Sequence, residues 1–431
     1  MREIESVNNL RIAFLCDLGH ASPRVIGLAS GLSNLGHDVS VFTPSMSNRQ
    51  KHFFGLPTSP RWKLIETKRF PMQYRRFPGY LRIYRKIMEI SFAQLHRFMI
   101  YTLKRNSRGV SVQSHWDDEH ISWFGALYPI FKLAHSKQPF DFIVSSSSPF
   151  STHIIAKQFS LEFGIQWVAD YRDLWSQNYV QVKSVPIDQI DFEKEILATS
   201  SGATTVSSET KFLLANICDS PIEVLYNGFE SQQQYRPIPI NTEFRILYVG
   251  GLYLKNQNLD SFIEVVLDHN SNPNNLVKLK LQFMGDSAIT VLKYFKSQDK
   301  VLPEWIQLIK TVSRNESINL QSSADALLML EWSDSKHKGI LRTKMFEYLS
   351  TGKPIISYGG FFDESYVIQK DAGLSIFLGN VPEAKEFFSQ LRVGKLLNLH
   401  PNMEYISQFS YLSQAKRLAN FLFRIRENKS L

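Results

Sequence analysis

The sequence predicts an α/β protein of two domains, each a parallel sheet covered by helices on both faces. Three observations carry this expectation. The chain has 431 residues, too many for one ordinary core and about right for two domains. Short, uninterrupted apolar runs alternate with helix-spaced segments, the pattern of strands buried on both faces. The alternation then restarts after a polar, proline-bearing stretch near mid-chain.

Taken in order, residues 10–16 read as a strand, 17–24 as a loop, 25–35 as a helix and 39–43 as a second strand. Strands at 141–145, 166–170, 203–207 and 223–225 follow, with helices over 150–163 and 209–217. The stretch 231–243 (SQQQYRPIPINTE) has no helical period and is taken as a linker between a domain at 1–230 and one at 244–405. Beyond it come strands 244–249, 278–284, 326–330 and 354–358 and helices 258–267 and 341–350. Within the remaining 406–431, the amphipathic run 411–426 is a helix placed to pack back on the first domain. Two such units imply Rossmann-like domains facing one another. Ligands in these sheets sit beyond the carboxyl ends of the strands, so the cleft is the expected active site.

Composition excludes several classes. Apolar residues make up 43% and charged residues 21%, a globular balance. Two cysteines, Cys16 and Cys218, are too few for a disulfide scaffold or a cysteine-rich metal site. The N-terminal residues show no secretory pattern. The longest nearly uncharged run, 121–131, has 11 residues, against the roughly 20 of a membrane helix. A soluble, cytoplasmic protein is expected. No D-x-D, H-x-x-x-H or G-x-S-x-G is present, and the acidic run 117–120 cannot converge on one ion, so no metal is expected.

The net charge is +9, but residues 51–110 hold 14 Lys/Arg and two acids, so this one segment carries the whole excess. It also holds 11 aromatics. Over 81–105 the apolar Leu81, Tyr84, Met88, Phe92, Leu95 and Met99 share one helical face, with basic residues beside them. Such a helix suits an anionic membrane surface, the alternative being an ordinary helix with a solvated basic face. No strand-borne stacking module is visible, so nucleic acid is not an expected partner.

Four groups of residues are candidates for chemistry. Gly250 and Gly251 follow the first strand of the second half, with Lys255 shortly after; glycines there let backbone N–H groups approach a phosphate, or simply make a tight turn. Lys344 and Glu347 share a helix face, fitted to neutralise a diphosphate and hold a ribose, or to pair with each other. Asp170, Arg172 and Asp173 gather at a strand's carboxyl end, where burial is costly unless they are paired or used. The serine run SSSSP can offer hydroxyls and His153 to the same cleft, His153 otherwise simply starting a helix, and His20, Ser22 and Arg24 occupy the first loop of that cleft, where Arg24 faces a phosphate or the helix end.

These residues resemble the GT-B glycosyltransferases, specifically the family 4-like group that builds bacterial surface polysaccharides. The matches run in order across nearly the whole chain: GHASPR with LGHDVSVFT, DFIVSSSSPFSTH with GIQWVADYRDLW, FRILYVGGLYLKN, and KGILRTKMFEYLSTGKPII. The resemblance implies a nucleotide-diphosphate sugar as donor and transfer with retention, without a metal, to a glycan or lipid-linked acceptor. By position it implies that Gly250, Gly251 and Lys255 meet the diphosphate, that Lys344 balances its charge and that Glu347 holds the ribose. Asp170, Arg172 and Asp173 would line the acceptor side, with Asp170 orienting or deprotonating the acceptor hydroxyl. Many relatives carry two glutamates eight residues apart; here the first position is Gly339. Two other readings stand beside this one: a nucleotide-sugar epimerase on the same fold, and a non-catalytic scaffold with a decayed site.

Overall fold

The computed structural model describes residues 9–68, 123–177, 187–332, 341–360 and 363–428. The amphipathic run 81–105, the acidic run 117–120 and Gly339 lie outside the described residues.

The first sheet contains β1 (Arg11–Leu15), β2 (Asp38–Pro44), β3 (Lys63–Thr67), β4 (Phe142–Ser147), β5 (Gln166–Tyr171), β6 (Gly202–Thr205) and β7 (Ile222–Val224), in the order β3-β2-β1-β4-β5-β6-β7. The second contains β8 (Glu243–Val249), β9 (Lys278–Met284), β10 (Ile306–Ile309), β11 (Ala326–Leu330), β12 (Ile355–Tyr358) and β13 (Ser375–Leu378), in the order β10-β9-β8-β11-β12-β13. Every pairing is parallel. In both sheets the order reverses beside the first strand, at β1/β4 and β8/β11, and that reversal opens a crevice at the strands' carboxyl ends.

Each sheet is covered on two sides, giving four apolar clusters. The central strands β1 and β11 are buried at every residue, which is why they read as continuous apolar runs. The strands with no counterpart in the sequence reading are β3, β10 and β13. All three are edge strands, only partly buried. Half-exposed residues there carry no uninterrupted apolar signal.

The chain crosses between domains twice, and the crossings lie side by side. The Tyr411 N–H donates to the Phe229 carbonyl at 2.8 Å. The helix Tyr411–Asn428 then packs on the helix Arg24–Asn34 of the first domain, contributing Ala415, Leu418, Ala419, Phe421, Leu422 and Ile425 to its core. Two glycines permit this approach. A β-carbon on Gly27 would stand 2.1 Å from the Tyr411 ring, and one on Gly31 would stand 2.5 Å from the Ala415 β-carbon.

Candidate active site

The carboxyl edges of the two sheets face each other across a cavity of about 370 Å³. One wall carries Arg24, Arg172 and Asp173 of the first domain; the other carries Gly251, Tyr253, Arg342 and Lys344 of the second.

Arg24 opens its helix at the cavity floor and is nearly inaccessible. Its Nε and Nη2 grip the Asp170 carboxylate at 2.8–3.2 Å, and Nη1 donates to the carbonyls of Leu225 and Tyr226 at 2.9 and 3.0 Å. Asp170, at the end of β5, also accepts from Ser146 Oγ at 2.8 Å and Thr204 Oγ1 at 2.7 Å. Burial by itself would raise the Asp170 pKa. The guanidinium and the two hydroxyls outweigh it and hold the carboxyl below its ordinary range. Arg24 therefore faces neither a phosphate nor the helix end, and both Asp170 oxygens are occupied by protein groups.

Arg172 behaves differently. It donates to the carbonyls of Ser147, Ser148 and His20, tying the serine run to the first loop. Among the described residues no carboxylate forms an ion pair with it, Asp173 included. Asp173 is exposed on the cavity wall, and among the described residues no hydrogen bond or ion pair engages its carboxylate.

The two histidines lie outside this arrangement. His153 is buried in the first-domain core among Trp167 and Tyr171, with Nδ1 2.8 Å from Ser145 Oγ and Nε2 without a hydrogen-bond partner among the described residues. Burial pushes its pKa down to about 3, so it is a neutral core residue and not a cleft residue. The His20 side chain is exposed beside Asp17; its carbonyl joins the site through Arg172.

On the second-domain wall, Gly250 takes φ +84°, a conformation that favours glycine, and its N–H donates to the Met284 carbonyl. Gly251 lines the cavity, whereas Lys255 is exposed and does not. Lys344 lies in the first turn of the helix Thr343–Ser350. Its Nζ donates to the Gly251 carbonyl at 3.3 Å and sits 3.8 Å from the centroid of the Tyr248 ring. Burial first, and then neighbouring Arg342, lower its pKa well below the ordinary lysine value. Glu347 pairs with Arg314 and lies off the cavity wall, so it does not pair with Lys344.

Arg342 was not among the residues singled out from the sequence. The sequence reading places it inside a helix at 341–350 and weighs only Lys344 and Glu347 there; in the structure it is the residue before the helix Thr343–Ser350. Its guanidinium pairs with Glu331, which also accepts from Ser357 and Gln369 at 3.1 and 3.0 Å. Tyr253, two residues after the glycine pair, was also missed, since an aromatic in a loop carries no periodic signal. Among the described residues, no three His, Cys, Asp or Glu side chains converge in a way that would hold a metal ion.

Solved structures share this architecture over nearly the whole chain. Sucrose-phosphate synthase from Thermosynechococcus elongatus superposes with a TM-score of 0.63 at 15% identity, covering 97% of this chain and 100% of that one. HepE of Anabaena, solved with UDP-glucose, gives 0.54 at 11% identity over 98% and 100% of the two chains. UDP-GlcNAc 2-epimerase from Methanocaldococcus jannaschii gives 0.52 at 12% identity over 96% and 100%. No family model and no curated protein matches the chain. At these identities the likeness establishes the fold: two Rossmann-like domains in a GT-B-like arrangement with a cleft between them.

Proposed function

We propose that the chain is a glycosyltransferase, moving a sugar from a nucleotide-diphosphate donor to a glycan or lipid-linked acceptor with retention. The observation that carries this reading is Lys344. A partly buried ammonium held by one carbonyl and one aromatic face, with no carboxylate in an ion pair among the described residues, is an incomplete charge site. A diphosphate beside it would supply the missing anion. Breaking the anomeric C–O bond places negative charge on that leaving group, and Lys344 with Arg342 is positioned to stabilise it. These cations supply the charge a metal would otherwise bring, so the reaction is proposed to need none, and EDTA should leave turnover unchanged.

The acceptor side is assigned to Asp173 in place of Asp170. Asp170 has no oxygen left to accept from a hydroxyl, whereas the Asp173 carboxylate faces the cavity. Gly251 borders the diphosphate position. Glu347, which the resemblance makes the ribose ligand, pairs with Arg314 off the cavity wall, so that role is proposed only from its place in the motif. The role of Lys255 is proposed only from its place in the motif. The basic, aromatic segment 51–110 supports a peripheral seat on an anionic membrane surface, where a lipid-linked acceptor would be found. Among the described residues no helix is long and apolar enough to cross a membrane.

The test is a thermal-shift series with UDP, GDP, TDP, ADP and CMP in the absence of metal. A ligand at 100 times its Kd adds about 2.7 kcal/mol. Stabilisation of the wild type by one nucleotide, and not of Lys344→Ala, is the expected outcome. No stabilisation by any of them would favour a decayed site.

A further inference from the structure

Tyr253 is the large ring left in solvent on the cavity wall, 57% exposed. It is nonetheless held in place. Its backbone N–H donates to Oε1 of buried Gln257 at 2.8 Å, and Gln257 Nε2 is anchored on the Leu330 carbonyl. The ring lies beside Trp332, with centroids 5.4 Å apart and planes 30° apart. Its hydroxyl end covers Gly251, 3.6 Å from where a β-carbon would stand on that glycine. An aromatic side chain fixed before any ligand arrives has already met most of the ordering cost of binding.

Its neighbours define what it would meet. The carbonyl of this same Gly251 holds Lys344, so the ring adjoins the proposed diphosphate position. Across the cavity stand Asp173 and Arg172. Their chemistry suits a pyranose: its C–H face matches an aromatic face, and its hydroxyl rim suits a carboxylate and a guanidinium.

We propose that Tyr253 is a stacking platform for the pyranose ring of a sugar, carried either by the donor or by the acceptor. The inference rests on the nucleotide-sugar reading and deepens it.

Saturation-transfer NMR on the full chain tests it, using UDP, GDP, UDP-glucose and GDP-mannose. UDP and GDP are each also combined with the methyl α-pyranosides of glucose, galactose, mannose and N-acetylglucosamine. The expected result is saturation of pyranose C–H protons in wild type, kept in Tyr253→Phe and reduced about tenfold in Tyr253→Ala, with nucleotide signals unchanged. Signal from the nucleotide-linked hexose alone assigns the platform to the donor; signal from a free pyranoside assigns it to the acceptor. Pyranose saturation that persists in Tyr253→Ala, or is absent from wild type, overturns the proposal. Missing nucleotide signals in wild type, with no stabilisation by UDP, GDP, TDP, ADP or CMP in the thermal-shift series, overturn instead the function on which it rests.

Discussion

Two cations, Arg24 buried and Lys344 partly buried, occupy opposite walls of the same cavity and are treated in opposite ways. Arg24 of the first domain is bound on every side by Asp170 and two carbonyls. Lys344 of the second has one carbonyl and a ring face. A guanidinium with a bidentate carboxylate has its desolvation offset within the protein. An ammonium without such a partner leaves its offset to a ligand. Arg342 stands between the two, paired with Glu331 yet lining the cavity beside Lys344; Arg172, which holds only carbonyls, stands closer to the second. The difference teaches which cations build the cleft and which are left to serve it.

The largest effect should come from breaking the closed pair. Arg24→Met strands a carboxylate at 1% exposure and should cost about 3–5 kcal/mol in urea unfolding. The double variant Arg24→Met/Asp170→Leu should recover most of that loss, and failure to recover would show that the pair is not an isolated unit. The pair also has a pH signature. Because the Asp170 pKa is lowered in the fold, its contribution is present above the ordinary value of 3.8 and is lost as pH falls below it. Asp170→Asn should flatten that acid limb.

The open cation should respond the other way. Lys344→Met is expected to leave the ligand-free protein as stable or more so. It should abolish the roughly 2.7 kcal/mol that a saturating nucleotide adds. A loss of stability without ligand would mean that Lys344 is structural and that the contrast with Arg24 fails. Asp173→Asn should leave folding and nucleotide binding intact and lower transfer about a hundredfold or more, measured as turnover with a fixed donor.

The smallest effect is a titration. Anion binding requires a protonated lysine, and the ligand-free Lys344 pKa lies below 10.5. Calorimetric affinity for the nucleotide should therefore begin to fall at a lower pH than an ordinary lysine would allow. Lys344→Arg should remove that limb, since a guanidinium keeps its proton throughout. A limb that persists in the variant assigns the titration to another group.

Much of the fold was legible because its signal is local. The run at 326–330 coincides with β11, where burial on both faces demands uninterrupted apolar residues, and 278–284 with β9, where Leu279, Leu281 and Phe283 alternate with polar residues. Edge strands β3, β10 and β13 were invisible for the converse reason. At the site, the sequence pointed to Lys344 and the glycine pair, whose spacing around a strand and a helix is itself local. It placed His153 at the cleft because a residue at a helix start can face either the crevice or the core, and only packing against Trp167 and Tyr171 sends it inward.

By itself the sequence determined the alternation of strands and helices, the restart near mid-chain, and which segments carry charge to the carboxyl ends of the strands. Tertiary structure alone decided which charges meet there. Arg24 and Asp170 are 146 residues apart, and no periodicity links them. Once that pair closes, Asp170 is withdrawn from the cavity and Asp173 is left facing it. Apolar burial is additive along the chain and so can be read one element at a time. Compensation of a buried charge depends on whichever group the fold brings within hydrogen-bonding reach.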